Sequence, residues 1–86
     1  MVDVIGVSVL SDYRVRLRFD DGQERDVDLL PFLSGPVFEP LIRDRTLFER
    51  VRVDPELGTI VWPNGADIDP EVLHEAGVAA RVQVSS

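Results

Sequence analysis

The sequence contains neither cysteine nor lysine. The first absence removes disulfides, thiolate metal sites and cysteine nucleophiles. The second removes Schiff-base chemistry, a phosphate-loop lysine and a lysine general base. Histidine and tryptophan occur once each, as His74 and Trp62. No apolar run approaches the roughly eighteen or more residues of a membrane span. The start, Met1-Val2-Asp3-Val4, has no basic stretch of the kind that opens a signal peptide. A soluble cytoplasmic protein without membrane contact is the expectation. What remains is ordinary for a globular chain: 86 residues, 44% hydrophobic and 29% charged, enough for one modest core.

All nine bases are arginine, and they face sixteen acids, leaving a net charge of −7. The balance is uneven. Residues 1–53 hold ten acids and eight arginines, net −2, whereas residues 54–86 hold six acids and only Arg81, net −5. Such an acidic final third repels nucleic-acid phosphates and favours a small basic protein partner.

The first half alternates with period two, the pattern of half-buried strands. Ile5, Val7 and Val9 form one series, Tyr13, Val15, Leu17 and Phe19 a second, and Val27 and Leu29 a third. Register types the turn at Asp20-Asp21-Gly22. A two-residue loop would oppose Phe19 to Glu24 and mix the faces. A three-residue loop with left-handed Gly22, a type I turn plus bulge, opposes Val15 to Val27 and Leu17 to Arg25. The same register opposes Arg18 to Glu24, Arg16 to Asp26 and Arg14 to Asp28, each pair contributing about 0.2–1 kcal/mol. Applied upstream, the argument predicts a loop of Leu10, Ser11 and left-handed Asp12, with Val9 opposite Tyr13 and Val7 opposite Val15. A three-stranded meander from Val2 to Leu29 follows.

Prolines punctuate the middle. Pro31 and Pro40 suit the first turns of short helices, and Asp44 suits the N-cap of a turn carrying Leu47 and Phe48. Val51 and Val53 predict a fourth strand and Thr59 to Trp62 a fifth, joined by a loop over Pro55 to Gly58 that opposes Val53 to Ile60. Asp69 as N-cap, Pro70 at the first helical position and Gly77 as the stop predict a helix with Val72, Leu73 and Ala76 facing inward. The reading is an α+β domain over 1–78: an antiparallel three-stranded meander, a later β-hairpin and short helices packed on the sheet. Residues 79–86 form a C-terminal tail or edge strand. The expected core is Val15, Leu17, Phe19, Val27, Leu41, Phe48, Val53, Ile60 and Leu73.

Little in this inventory carries chemistry. His74 is expected on the solvent side of its helix, and no serine lies in a nucleophile elbow. Asp67, Asp69 and Glu71 recur at spacing two without an EF-hand pattern, and Asp69 already serves as a cap. The six glycines sit singly, so no phosphate-cradling loop is formed. The arginines of the second strand meet acids across the hairpin, which leaves no free basic surface for nucleic acid. No catalytic residue, metal or cofactor is expected.

The most distinctive segment is Trp62-Pro63-Asn64-Gly65-Ala66-Asp67-Ile68-Asp69-Pro70. It reads either as a strand-to-helix corner pinned by Trp62 or as part of a recognition surface. Together with Phe19-x-Asp21-Gly22, Phe48-x-x-Val51-x-Val53-Asp54 and Leu73, this W-P-N-G-A-D-x-x-P run resembles a family of small bacterial proteins known as a domain of unknown function. The resemblance covers about residues 3–76. It extends to the N-terminal domain of longer proteins that add a helix-turn-helix, an extension not expected in this chain. The resemblance implies an α+β fold and encoding beside a second small protein, in a toxin–antitoxin-like pair. It carries no catalytic residues. The expected function is a non-catalytic protein-interaction module, the antitoxin-like member of such a pair. The alternative is an accessory or regulatory domain of a transcription-related system. Candidate partner-binding residues are Trp62, Asn64, Asp67, Glu71 and Glu75, and a homo-oligomer is compatible with the sequence.

Overall fold

The computed structural model describes residues 2–76 and 78–79. Strands β1 (Val4–Val9), β2 (Arg14–Phe19) and β3 (Glu24–Asp28) form the antiparallel meander. A single 3-10 turn over Leu30–Phe32 leads to two short helices, α1 (Glu39–Arg43) and α2 (Arg45–Phe48). The hairpin of β4 (Arg52–Asp54) and β5 (Thr59–Val61) follows, then helix α3 (Pro70–Ala76) and a two-residue strand, β6 (Val78–Ala79). The larger sheet has the order β1-β2-β3-β6, and β4-β5 form a second, two-stranded sheet. The fold is α+β. Among the described residues no helix is long and apolar enough to cross a membrane.

The second hairpin follows its turn chemistry. Gly22 has φ +88°, its N–H donates to Phe19 O at 3.0 Å, and the Phe19 N–H donates to Gln23 O at 2.9 Å. Arg18 therefore opposes Glu24, Arg16 opposes Asp26 and Arg14 opposes Asp28. Arg16 grips Asp26 through two bonds, Nε to Oδ1 at 2.8 Å and Nη2 to Oδ2 at 3.1 Å. That fork raises the Arg16 pKa and lowers that of Asp26. Arg18 lies 3.7 Å from Glu24, while Asp28 accepts the Leu30 N–H at 3.1 Å.

The first hairpin departs from its expected register. Val9 opposes Val15 and Val7 opposes Leu17, two residues away from the predicted pairing. Asp12 is left-handed, φ +53°, as expected, but the turn closes from Arg14 N–H to Ser11 O at 2.9 Å, and Leu10 N–H also donates to Arg14 O. An even slip keeps every side chain on its face, so alternation cannot distinguish the two pairings. The ladder also shifts between Val4 and Gly6, a bulge that buries Val4 and leaves Ile5 54% exposed.

The core lies between the odd face of β2 and the elements that cross it. Val15, Leu17, Phe19, Val27, Leu41, Phe48, Ile60 and Leu73 are buried, as predicted, while Val53 is only half-buried. Val4, Leu29, Leu33, Trp62, Ala66 and Ile68 join them. Pro40 occupies the first turn of α1, and Asp44 caps α2 by accepting the Leu47 N–H at 3.3 Å. Val53 opposes Ile60, and Gly58, φ +69°, ends the predicted four-residue loop. Its carbonyl accepts the Val4 N–H at 2.8 Å, tying the small sheet to the edge of the large one. Val78 and Ala79 pair with Asp26 and Arg25. The predicted stop at Gly77 and the alternation at Val82 and Val84 lie outside the described residues.

Candidate functional site

The segment from Trp62 repeats the closing pattern of the β2–β3 turn. Gly65 has φ +92°, its N–H donates to Trp62 O at 3.0 Å, and the Trp62 N–H donates to Ala66 O at 3.0 Å. Val61 and Asp67 then bridge antiparallel, so the chain folds back on β5 before α3 begins at Pro70. The expected strand-to-helix corner is thus a tight hairpin followed by a helix.

Trp62 belongs to the interior of this hairpin. The residue is 2% exposed, its Nε1–H donates to Phe48 O at 3.0 Å, and its ring lies 6.1 Å from that of Phe48. A buried indole whose one donor is satisfied contributes apolar area and fixes direction. It offers little surface to a partner. Asn64 is exposed at the tip, its Oδ1 accepting from Ala66 N–H at 3.2 Å and its Nδ2 donating to Val37 O at 2.8 Å. The turn is therefore clamped to the loop preceding α1. Asp67 is exposed.

Helix α3 starts as its sequence dictates. Asp69 Oδ1 accepts the Glu71 N–H at 2.8 Å, and Pro70 fills the first position. Its inward face differs from expectation. Leu73 is buried, but Val72 is 43% exposed and Ala76 is exposed. The helix is instead turned to bring His74 inward, correcting its expected place on the solvent side. The imidazole packs perpendicular to the Phe19 ring, centroids 4.7 Å apart at 84°, and Nε2 lies 3.0 Å from Asp21 Oδ2. The Gln23 N–H, donating to Asp21 Oδ1 at 3.0 Å, holds the Asp21 carboxyl below its usual range, and His74 adds to the effect.

Glu71 and Glu75, one helical turn apart, lie beside His74. With Val2 they line an open cleft of about 180 Å³. Four acids elsewhere meet arginine: Asp26 with Arg16, Glu24 with Arg18, Glu39 with Arg43, and Glu49 with Arg45. Among the described residues, Asp67, Glu71 and Glu75 form no ion pair. No group of three or more side chains able to hold a metal occurs among the described residues. The cleft presents two carboxylates beside an imidazole already engaged by Asp21, an arrangement suited to receiving a cationic side chain.

Of the five candidates, the fold brings Glu71 and Glu75 to one cleft, leaves Asn64 and Asp67 on the surface of the Trp62 hairpin, and takes Trp62 inside. His74 and Asp21 were missed. Their contact spans 53 residues, and no local pattern in either segment signals it.

A family model described as "Protein of unknown function (DUF2442)" matches residues 4–79, from β1 through β6. Neither curated proteins nor solved structures give a match.

Proposed function

This chain belongs to the DUF2442 family, and from that premise we propose that it is a non-catalytic protein-interaction module, the antitoxin-like member of a two-gene pair. Its partner is a small basic protein encoded beside it. The observation that carries this reading is the α3 cleft. Glu71 and Glu75 stand exposed beside His74 without an arginine of their own among the described residues, whereas Glu39 in α1 and Glu49 at the end of α2 each meet one. A guanidinium or ammonium group entering the cleft gains charge-assisted hydrogen bonds from both carboxylates. The W-P-N-G-A-D-x-x-P run is the family signature in this reading. Its Trp62 holds the hairpin while Asn64 and Asp67 face the partner at the rim. The uncompensated charge of residues 54–86 steers encounter.

The test is expression together with the adjacent reading frame and recovery through a tag on this chain. A basic protein should co-purify at low salt and be released as salt rises. Recovery of this chain without any product of that frame overturns the pairing.

A further inference from the structure

β1 ends the four-stranded sheet, so one side of its backbone faces outward. Which groups face outward follows from the ladder. Leu10 N–H donates to Arg14 O, and antiparallel strands alternate, so Ser8 and Gly6 also direct their main-chain groups to β2. Those of Val7 and Val9 point away from it. Farther back the edge is closed: Val4 N–H is taken by Gly58 O, the bulge occupies Ile5, and the β4–β5 hairpin lies against β1.

From this arrangement we infer that the stretch of β1 from Val7 to Val9, whose outward main-chain groups meet no partner among the described residues, pairs antiparallel with β1 of a second copy, centred on Ser8. This register opposes Val7 to Val9 of the second copy and Val9 to Val7, giving about four main-chain hydrogen bonds by symmetry. It uses every outward group between the bulge and the turn and asks nothing of the blocked end. Val7 and Val9 lie on the core face and are half-buried, so their β-branched side chains continue the apolar face across the seam. Ser8, exposed on the opposite face, meets its own symmetry mate.

Charge decides for a second copy over an oppositely charged partner strand. Each chain carries −7, yet β1 holds no charged residue, whereas β2, β3 and β4 all do. The closest charges on the outer face are Arg16 and Arg18, one strand inward, and both are engaged by acids of β3. The stretch also lacks the charges and prolines with which sheet edges are ordinarily guarded. An acidic or basic partner strand would find no counter-charge on it, while an identical strand meets an uncharged, size-matched copy.

The absence of cysteine makes the test direct. In a non-hydrogen-bonded antiparallel pair the Cα atoms lie about 4.5 Å apart, within the roughly 4.4–6.8 Å that a disulfide spans. Ser8→Cys should cross-link to a covalent dimer under mild oxidation far sooner than Ser34→Cys, an exposed position on the loop before α1. By sedimentation, the unmodified chain should shift toward twice the monomer mass with concentration, and Ser8→Lys should lose that shift while keeping the thermal transition. A chain that stays monomeric at every concentration, with Ser8→Cys no faster than Ser34→Cys, overturns the inference. So does a dimer that survives Ser8→Lys. A monomer whose capture of the adjacent-frame product is abolished by Ser8→Lys overturns it in favour of a partner's strand.

Discussion

His74 of α3 meets Asp21 of the β2–β3 turn, 53 residues away in sequence. Nε2 of the helix residue sits 3.0 Å from Oδ2 of the turn residue, with the imidazole packed perpendicular to the Phe19 ring. The contact orients α3 over the β2–β3 turn, and so presents Glu71 and Glu75 outward. The turn carboxylate is also sensitive to acid. The Asp21 pKa is lowered in the folded state, first by the Gln23 N–H and then by His74. A depressed carboxylate stabilises the fold above its unfolded pKa, about 3.9, and that contribution is lost as pH falls through the lower folded value. Asp21→Asn should therefore be less stable than the parent at neutral pH, with the difference closing below about pH 4. Urea denaturation of both proteins between neutral and acid pH measures this. A constant gap would contradict the assignment.

Charge reversal on α3 separates partner binding from folding. Glu71 and Glu75 are exposed and free of the core, so Glu71→Arg with Glu75→Arg should leave the denaturation midpoint nearly unchanged. Association with a basic partner should slow, and its salt dependence should weaken, because surface charges act chiefly on encounter. Stopped-flow or surface-capture kinetics at two salt concentrations read both effects. Asp69 is unsuitable for this purpose, since losing its cap costs about 0.5–2 kcal/mol by itself.

Trp62 should behave as a core residue. Trp62→Ala is expected to cost about 3–5 kcal/mol through the cavity it leaves. Trp62→Phe keeps much of the ring but abandons the buried Phe48 carbonyl, at a cost of about 1–3 kcal/mol. In partner binding, Trp62→Phe should alter the association rate less than the α3 reversal does. Equilibrium denaturation beside the same kinetics distinguishes a positioning role from a contact.

Gly58 carries two constraints where Gly65 carries one. Both have positive φ, so alanine at either position costs about 1–2 kcal/mol in backbone strain. A Cβ at Gly58 would in addition lie 2.6 Å from the Asp3 carboxyl, whereas Gly65 has open space around it. Gly58→Ala should be the more destabilising of the two. Adding Asp3→Ala should recover the excess but not the strain, a coupling that a double-mutant cycle on denaturation midpoints reveals.

The sequence by itself determined the α+β class, most of the core, the second hairpin and the start of every helix tested against it. These share a cause: each is written in neighbouring residues. Gly22 admits one turn, and that turn sets Arg16 against Asp26. Asp44 and Asp69 cap their helices whatever lies across from them. Tertiary structure decided what local pattern leaves degenerate. The two-residue slip of β1 preserves every face, and the bulge that exchanges Val4 for Ile5 depends on where Gly58 docks. The burial of Trp62 required the Phe48 carbonyl, placed by α2. The rotation of α3 was decided from farthest away in sequence. A seven-residue helix has too few apolar positions to define its own inner face, so Phe19 and Asp21 chose it by receiving His74.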